Sequence, residues 1–508
     1  MFQLRERGST VWTEIRGGVV TYLTLSYILF VQPAVLSLAG MPPNDVLVAT
    51  CVASAVACFL MGFLANYPIA LAPAMGHNFF FVFTVCLAMK FTWQEALAAN
   101  LMSGAFFLFM SLFGLREAVM NAVPEGLKYA IANGIGLLIA FVGLQYGGLV
   151  QNHNVTLVRL GDLTNPIAWV VLAGIALTAI LMALRFKGAV LVGIVAVAIL
   201  SLAASHVWQV PYHRPDGCEV IPAAGLGQRA GALAHGLPDP VKPVPPQQVR
   251  VVLAEAAPLQ LPKWPSTTLF AADARSLFGN HRLADVLIVI FILFFLDLFD
   301  TVGTLIGVSE RAGLLDAAGR LPRAREALFS DAAGTVVGAL MGTSTITSYV
   351  ESAAGVASGA RTGLAAVVVG VLMLASLVMA PLVQTVGAGV RFFDAATGQA
   401  LVQVAAGTAD PVAFYPIIAP VLVVIGAMMM GAVRRIRWDD YAEAIPAFLT
   451  IVVMQFSFSI TDGIAWGFIS YALLKVATGR ARDLHWMVAL FAVLFVIQYA
   501  ARAVLIGA

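Results

Sequence analysis

Residues 283–307 read LADVLIVIFILFFLDLFDTVGTLIG, an apolar run long enough to cross a bilayer that carries Asp297 and Asp300 three positions apart. A second stretch, residues 342–359, is polar and has Glu351 as its only charged residue. A carboxylate is costly inside a bilayer, so an acidic residue there is by default a hypothesis for a substrate or proton path. These three residues point to a membrane protein with a functional interior.

The composition is that of a polytopic membrane protein. Of the 508 residues, 60% are hydrophobic and 11% are charged, and windows of about 18 or more apolar residues recur along the chain. The net charge of +2 argues against a nucleic-acid surface. The four cysteines support neither a disulfide framework nor a zinc cluster, and no GxxxxGK[ST] phosphate loop occurs. We therefore expect no cofactor.

The apolar runs predict an all-α polytopic membrane protein with about fourteen passes. The first run is too long for a cleaved signal peptide, so it counts as a retained helix. The stretch 443–477 is too long for one pass and is interrupted at 457–463, which predicts two short or broken helices before a last run at 484–505. The other predicted helices lie near 17–40, 46–66, 70–90, 93–115, 125–147, 166–185, 188–205, 283–307, 326–342, 344–359, 361–386 and 413–432.

The basic residues indicate the orientation. Several groups of them lie in short loops after even-numbered helices, which places these loops and the N-terminus in the cytoplasm of a multi-pass protein of the cell (inner) membrane. The residues are Arg116, Arg185, Lys187, Arg311, Arg320, Arg323, Arg325, Arg361, Arg434, Arg435 and Arg437. The hydrophilic segment 206–281 then lies outside. It is too poor in large apolar residues for a substantial core, so we expect a cap or a flexible loop.

A weak internal repeat, offset by about 280 residues, divides the chain into repeats at 1–205 and 282–508. Leu60-Met61-Gly62 and Leu340-Met341-Gly342 each precede a polar, interrupted segment. Seven helices separate the two units, so the halves must insert in opposite orientations. Inverted repeats with paired broken segments are typical of secondary transporters that bind their substrate near the midplane.

We expect the substrate to bind at those breaks. Pro73 interrupts the third helix and the run 342–348 delays the tenth, which frees backbone N–H groups for partners or ligand. Facing helix N-termini would add positive dipole ends, and polar heterocycles or anions suit such a site. The i, i+3 spacing puts Asp297 and Asp300 on one helix face, where both cannot ionise cheaply, so one should be able to take up a proton. The alternative is that one Asp only caps or pairs within the bundle.

The other candidate residues each have two interpretations. Asn78 contacts ligand or satisfies freed backbone, and Thr347 and Ser348 belong to the hydroxyl-rich break. His77 could titrate near neutral pH, but beside Phe79, Phe80 and Phe81 it is more often a packing residue. Asp462 binds ligand or serves as an N-cap. The full set of predicted substrate-binding residues is Asp297, Asp300, Glu351, Asn78, His77, Thr347, Ser348 and Asp462.

These motifs resemble the AzgA-like purine permeases of the nucleobase/ascorbate transporter superfamily. The likeness lies in residues 72–78, 299–307, 343–356 and 445–471 and covers nearly the whole chain outside the hydrophilic segment. It implies two intertwined seven-helix inverted repeats, a core domain moving against a gate domain, a homodimer, and proton-coupled uptake of adenine, guanine or hypoxanthine. In the wider superfamily two acidic residues hydrogen-bond the base. The first is followed three positions later by Gly, a pattern that Asp300 and Gly303 match here, and the second corresponds to Glu351.

The chain departs from the family at the third helix. The family pattern Gly-Met-Gly-Leu-Asn-Ala is here Ala-Met-Gly-His-Asn-Phe at residues 74–79. His77 and Phe79 would therefore change the pocket, and a pyrimidine or an oxidised purine stays open as cargo. The long outside segment is also unusual for the family.

Two rival functions were weighed. An intramembrane aspartyl protease needs carboxylates on different helices and a Gly-x-Gly-Asp motif, which does not occur, while Asp297 and Asp300 share one helix. An anion carrier of the same fold would meet carboxylates at its site, which repel anions unless they are protonated.

Overall fold

The computed structural model describes residues 2–113, 124–153, 156–207, 218–234, 239–254, 263–314, 321–387, 389–405 and 414–506. Its helices are α1 Val11–Leu25, α2 Ile28–Ser37, α3 Pro43–Leu60, α4 Met75–Phe79, α5 Trp93–Phe113, α6 Glu125–Tyr146, α7 Pro166–Ala183, α8 Ala189–Val207, α9 Leu226–Ala234, α10 Ala274–Asn280, α11 Leu283–Arg311, α12 Ala324–Met341, α13 Ser352–Ala357, α14 Gly363–Ala375, α15 Ala380–Gly387, α16 Ala419–Met429, α17 Tyr441–Phe456, α18 Ile460–Ala477 and α19 Trp486–Ile506.

Short strands and irregular turns complete the description. The strands are β1 Leu71–Pro73, β2 Val150–His153, β3 Leu157–Leu160, β4 Cys218–Pro222, β5 Val249–Val252, β6 Ile346–Ser348, β7 Arg391–Asp394 and β8 Ala400–Ala405. Turns of π-helix continue α3 over Met61–Ala65 and α4 over Phe80–Ala88, and 3-10 turns lie at Ala223–Gly225, Pro246–Gln248, Ser376–Met379, Met430–Arg435 and Ala481–Asp483.

The predicted polytopic helical fold is confirmed. Seven helical stretches within the described residues are long and apolar enough to cross a membrane: Val11–Ser37, Pro43–Ala65, Glu125–Tyr146, Pro166–Ala183, Leu283–Arg311, Gly363–Gly387 and Ile460–Ala477. Four shorter apolar helices lie at Met75–Ala88, Ala189–Ser205, Tyr441–Phe456 and Trp486–Ile497. The count of fourteen passes stays a prediction.

Breaks occur where the sequence places them. The predicted third helix starts as β1 and becomes helical at Met75, and the predicted tenth starts as β6 and becomes helical at Ser352. The stretch 443–477 forms two helices, α17 and α18, and the side chain of Ser459 caps α18 by accepting from the backbone N–H of Asp462. The breaks at β1, β6 and residues 457–459 thus coincide with polar or Pro residues in the apolar runs, whereas Pro446 lies inside α17 without interrupting it.

The chain divides into two compact units. The first contains residues 1–139, 261–378 and 426–508, and includes β1, β6, α11 and α12. The second contains residues 140–260 and 379–425. Within the second unit, a four-stranded antiparallel sheet has the order β4-β8-β7-β5, so the hydrophilic segment 206–281 supplies two strands and residues 391–405 supply two more.

Glycines allow helices of the first unit to approach closely. A Cβ added to Gly355 of α13 would lie 2.1 Å from the hydroxyl oxygen of Thr21 on α1. A Cβ added to Gly363, the first residue of α14, would lie 2.2 Å from the backbone oxygen of Gly62. These contacts leave no room for a larger residue, and both lie on the C-terminal side of the second break.

Candidate functional site

The two broken helices meet at their breaks. β1 and β6 form an antiparallel ladder in which Ala72 lies opposite Thr347. Further backbone hydrogen bonds of 2.9 Å run from Ala74 to Thr345 and from Tyr349 to Ala70. All six strand residues are buried. The ladder therefore satisfies backbone groups that would be too costly to leave unpaired within a membrane.

Asp300 lies beside open space next to this ladder. Its side chain is exposed, although most of α11 around it is buried, and Gly303 one turn later is exposed as well. A Cβ added to Gly303 would meet no atom within 4 Å. The hydroxyl of Thr347 donates a hydrogen bond of 3.2 Å to Oδ2 of Asp300. Thr347 thus orients one oxygen of the Asp300 carboxylate, and the space beside this carboxylate could hold a ligand.

Glu351 lies just before the first residue of α13. Its Oε1 accepts a hydrogen bond of 2.8 Å from the hydroxyl of Tyr27, at the junction between α1 and α2. The carboxyl group also lies close enough to Asp300 for the two to interact electrostatically. Three predicted residues, Asp300, Thr347 and Glu351, are therefore brought together from α11 and the second break.

The sequence analysis missed Asp331 on α12. This residue is fully buried, and its carboxylate accepts hydrogen bonds from Thr301 at 2.7 Å and from Ser348 at 3.1 Å. A signal was present, because an acidic residue in the interior of the predicted helix 326–342 falls under the same rule that selected Asp300. Thr347 and Ser348 are consecutive strand residues, so they reach two different carboxylates on opposite sides of β6.

Asp297 joins Asp331 deeper in the protein. The two carboxyl groups lie within hydrogen-bonding range of each other, and Oδ2 of Asp297 accepts from the hydroxyl of Thr335 at 3.2 Å. Oδ1 of Asp297 has no donor among the described residues. Two carboxyl groups this close cannot both ionise cheaply. We call Asp297, Asp300, Asp331 and Glu351 the carboxylate cluster.

Asn78 lies within a buried amide and hydroxyl network. Its side-chain amide donates to Gln32, and its carbonyl oxygen accepts from Ser344. Gln32 in turn donates to Thr343 at 2.8 Å and to Ser344 at 3.0 Å. These contacts tie α2, α4 and the second break together. The partners of the Asn78 side chain among the described residues are thus protein groups at the second break and on α2.

His77 packs between α4 and α11. The imidazole is 2% exposed and hydrogen-bonds to the backbone of Leu293, one turn before Asp297. Its Nε2 has no hydrogen-bond partner among the described residues. The neighbouring Phe79, Phe80 and Phe81 are also buried. The ring therefore occupies a packed position between α4 and α11.

Asp462 lies away from the cluster. It is in the first turn of α18, where its backbone N–H donates to the capping hydroxyl of Ser459 at 3.2 Å. Its Oδ1 accepts a hydrogen bond of 2.8 Å from Tyr499. The side chain lines a separate cavity that contains none of the cluster residues. Of the eight predicted residues, Asp462 is the one that the structure does not bring near the ladder.

Comparison with known proteins supplies the broader context. Residues 13–406 match the model of a family described as a permease family. The adenine permease AdeQ of Escherichia coli is 36% identical over 503 residues, which cover 98% of this chain and 95% of that protein. The guanine/hypoxanthine permease PbuO of Bacillus subtilis is 36% identical over 500 residues, covering 98% and 99%.

A solved structure shares the fold at low sequence identity. The transmembrane domain of a cyanobacterial bicarbonate transporter, BicA, superposes with a TM-score of 0.56 at 14% identity, covering 90% of this chain and 96% of that one. At this identity the similarity concerns the fold alone. It agrees with the transporter-type helical architecture that the sequence predicts.

Proposed function

This chain belongs to the permease family that its residues 13–406 match, and we propose that it carries purine nucleobases into the cell together with protons. It is a multi-pass membrane transporter and not an enzyme. The names of its adenine and guanine/hypoxanthine relatives support a purine as cargo. The observation that carries the proposal is the pair Asp300 and Glu351, two carboxyl groups that lie close to each other at the second break, with open space beside Asp300.

The chemistry of this pair suits a nucleobase. Purines present adjacent N–H donors and ring nitrogen or carbonyl acceptors along one edge. A carboxylate can accept two such N–H groups at once, and a protonated carboxyl group both donates and accepts. Hydrogen bonds to a charged group contribute about 1.5–3 kcal/mol each, so the two residues can supply much of the binding free energy.

Proton coupling is supported by the connections behind Asp300. Thr347 binds Asp300, and the next residue, Ser348, binds Asp331, which lies against Asp297. Acidic groups this close have mutually dependent titrations. A change in charge at Asp300 on substrate binding therefore alters the affinity of the Asp297 and Asp331 pair for its proton.

The architecture proposed for this transport is the inverted repeat. Residues 1–205 and 282–508 form the two repeats, which contribute β1 and β6 respectively to the central ladder. The basic loops then face the cytoplasm, and the segment 206–281 faces outside. The resemblance to purine permeases further supports a core domain moving against a gate domain, in a homodimer.

An anion is a weaker candidate cargo. The fold is shared with a bicarbonate transporter. However, four carboxyl groups surround the breaks in this chain, and an anion entering beside Asp300 and Glu351 would be repelled unless both were protonated. Uracil, a pyrimidine, and xanthine, an oxidised purine, also present N–H and carbonyl groups, so they belong in the experiment as competitors.

The test is uptake into proteoliposomes with an imposed pH gradient. Labelled hypoxanthine, guanine and adenine should accumulate when the outside is acidic, and a protonophore should abolish accumulation. Excess unlabelled purine should compete, whereas bicarbonate and sulfate should not. Competition by an anion in place of purines, or accumulation that persists with the protonophore, would contradict the proposal.

A further inference from the structure

A second cavity lies within the first compact unit, away from the carboxylate cluster. Its volume is about 340 Å³, and its lining includes Thr84, Phe91, His281, Asp285, Thr461 and Asp462. This volume falls in the range of roughly 300–1,000 Å³ that is usual for small-molecule sites. Its lining lies where the predicted third helix ends and the predicted eighth helix begins. The basic loops assign both of these ends to the outside of the membrane, so we call it the outer cavity.

Two hydroxyl groups in its walls lack partners. Thr84 is 3% exposed and Thr461 is 5% exposed, and the Oγ1 atom of each has no hydrogen-bond partner among the described residues. Thr84 lies on the π-helical continuation of α4, and Thr461 lies in the first turn of α18, so the two groups come from separate walls. An unsatisfied buried hydroxyl destabilises the fold, and a polar ligand between the walls would offset that cost.

The remaining walls offer a flat surface and acceptors. The rings of Phe91 and His281 are stacked with centroids 3.6 Å apart and planes 12° apart. Nε2 of His281 lies 3.0 Å from Oε2 of Glu95, which holds the imidazole in place. Asp285 and Asp462 add carboxylates, and Asp462 is oriented by Tyr499. Aromatic, hydroxyl and carboxylate groups together match a planar heterocycle with N–H donors.

The outer cavity and the second break are both lined by residues of the same broken helix. Thr84 is six residues beyond Asn78 on the same broken helix, which is less than two helical turns. We propose that the outer cavity is a second nucleobase-binding site, occupied before the base reaches Asp300 and Glu351. This inference rests on the proposed function, since it takes the same class of ligand from the outside.

The test uses a cysteine reporter in the purified protein in proteoliposomes. Ser457 lines the outer cavity and is exposed, whereas the four native cysteines are all buried, so the wild-type protein serves as the labelling blank. A membrane-impermeant thiol reagent added outside should label Ser457→Cys, and hypoxanthine should slow labelling at least threefold. Protection should persist when Glu351→Gln is added. Loss of protection in that double variant, or no labelling from outside, would overturn the proposal.

Hydroxyl removal gives the second measurement. Thr84→Val and Thr461→Val keep the side-chain shape, and each should raise the hypoxanthine concentration for half-protection about tenfold. Thr478→Val, directly after the last residue of α18, is the control, because that hydroxyl donates a hydrogen bond of 2.7 Å to the backbone oxygen of Leu474 and does not line the cavity. Half-protection unchanged in both cavity variants would refute the second site. Wild-type uptake separates the two proposals: a protein that carries no nucleobase fails the proposed function, whereas uptake without protection removes only the outer site.

Discussion

The hydroxyl of Tyr27 donates a hydrogen bond of 2.8 Å to Oε1 of Glu351, across 324 positions of sequence. Tyr27 is 4% exposed and lies between α1 and α2, while Glu351 lies at the start of α13. The rings of Tyr27 and Tyr349 lie near each other, with centroids 6.5 Å apart. The first helices of the chain therefore orient one oxygen of the carboxylate at the second break.

Glu351→Gln should weaken purine binding roughly ten- to a hundredfold. The substitution keeps the shape but removes a charged acceptor, and one such hydrogen bond contributes about 1.5–3 kcal/mol. Tyr27→Phe should have a smaller effect in the same direction, because it frees Glu351 without removing it. Binding of labelled hypoxanthine to the purified variants measures both. Unchanged affinity in correctly inserted Glu351→Gln protein would remove Glu351 from the site.

Asn substitutions in the carboxylate cluster should separate binding from coupling. Asp300→Asn should abolish accumulation driven by a pH gradient, because Asp300 faces the open space. Asp297→Asn and Asp331→Asn should instead shift the pH dependence of uptake, since each removes one of two carboxyl groups whose titrations depend on each other. The measurement is hypoxanthine uptake from pH 5 to 9 with and without a gradient. Wild-type accumulation in all three variants would place the proton path elsewhere.

The sequence revealed those parts of the site that carry a strong local signal. Asp300 and Glu351 could be predicted because a carboxylate in an apolar or break segment is rare and costly. Asp331 carried the same signal, with Thr335 one turn later on its helix, and was missed. The pairing of β1 with β6 could not be predicted, since three-residue strands show no period. The Gln32 partner of Asn78 likewise depends on contacts 46 positions apart.

Gly303→Val should block transport while the protein still folds. The added side chain meets no atom within 4 Å at its Cβ, so it enters the open space beside Asp300 where the base would lie. Gly363→Ala is the matched contrast, because its Cβ would lie 2.2 Å from the backbone oxygen of Gly62 and must displace α14. Thermal unfolding in detergent should show a wild-type Tm for the first variant and a lowered Tm for the second. Wild-type uptake by Gly303→Val would show that the space is not the binding site.

His77→Leu should leave the order of competing bases unchanged and lower stability. The imidazole is buried and hydrogen-bonds to the backbone of Leu293, so its nearest partner is α11 and not the open space at Gly303. Leu fills a similar volume but removes this hydrogen bond, whose net contribution is about 0.5–1.5 kcal/mol, since the backbone of Leu293 keeps its partners within α11.

Competition of labelled hypoxanthine uptake with adenine, guanine, xanthine and uracil tests the first part, and thermal unfolding tests the second. A site built around a polar contact discriminates strongly against ligands that lack the complement. A changed order of competitors in His77→Leu would therefore mean that the unpartnered Nε2 reaches the base, and that this departure from the purine permease pattern sets the specificity of the chain.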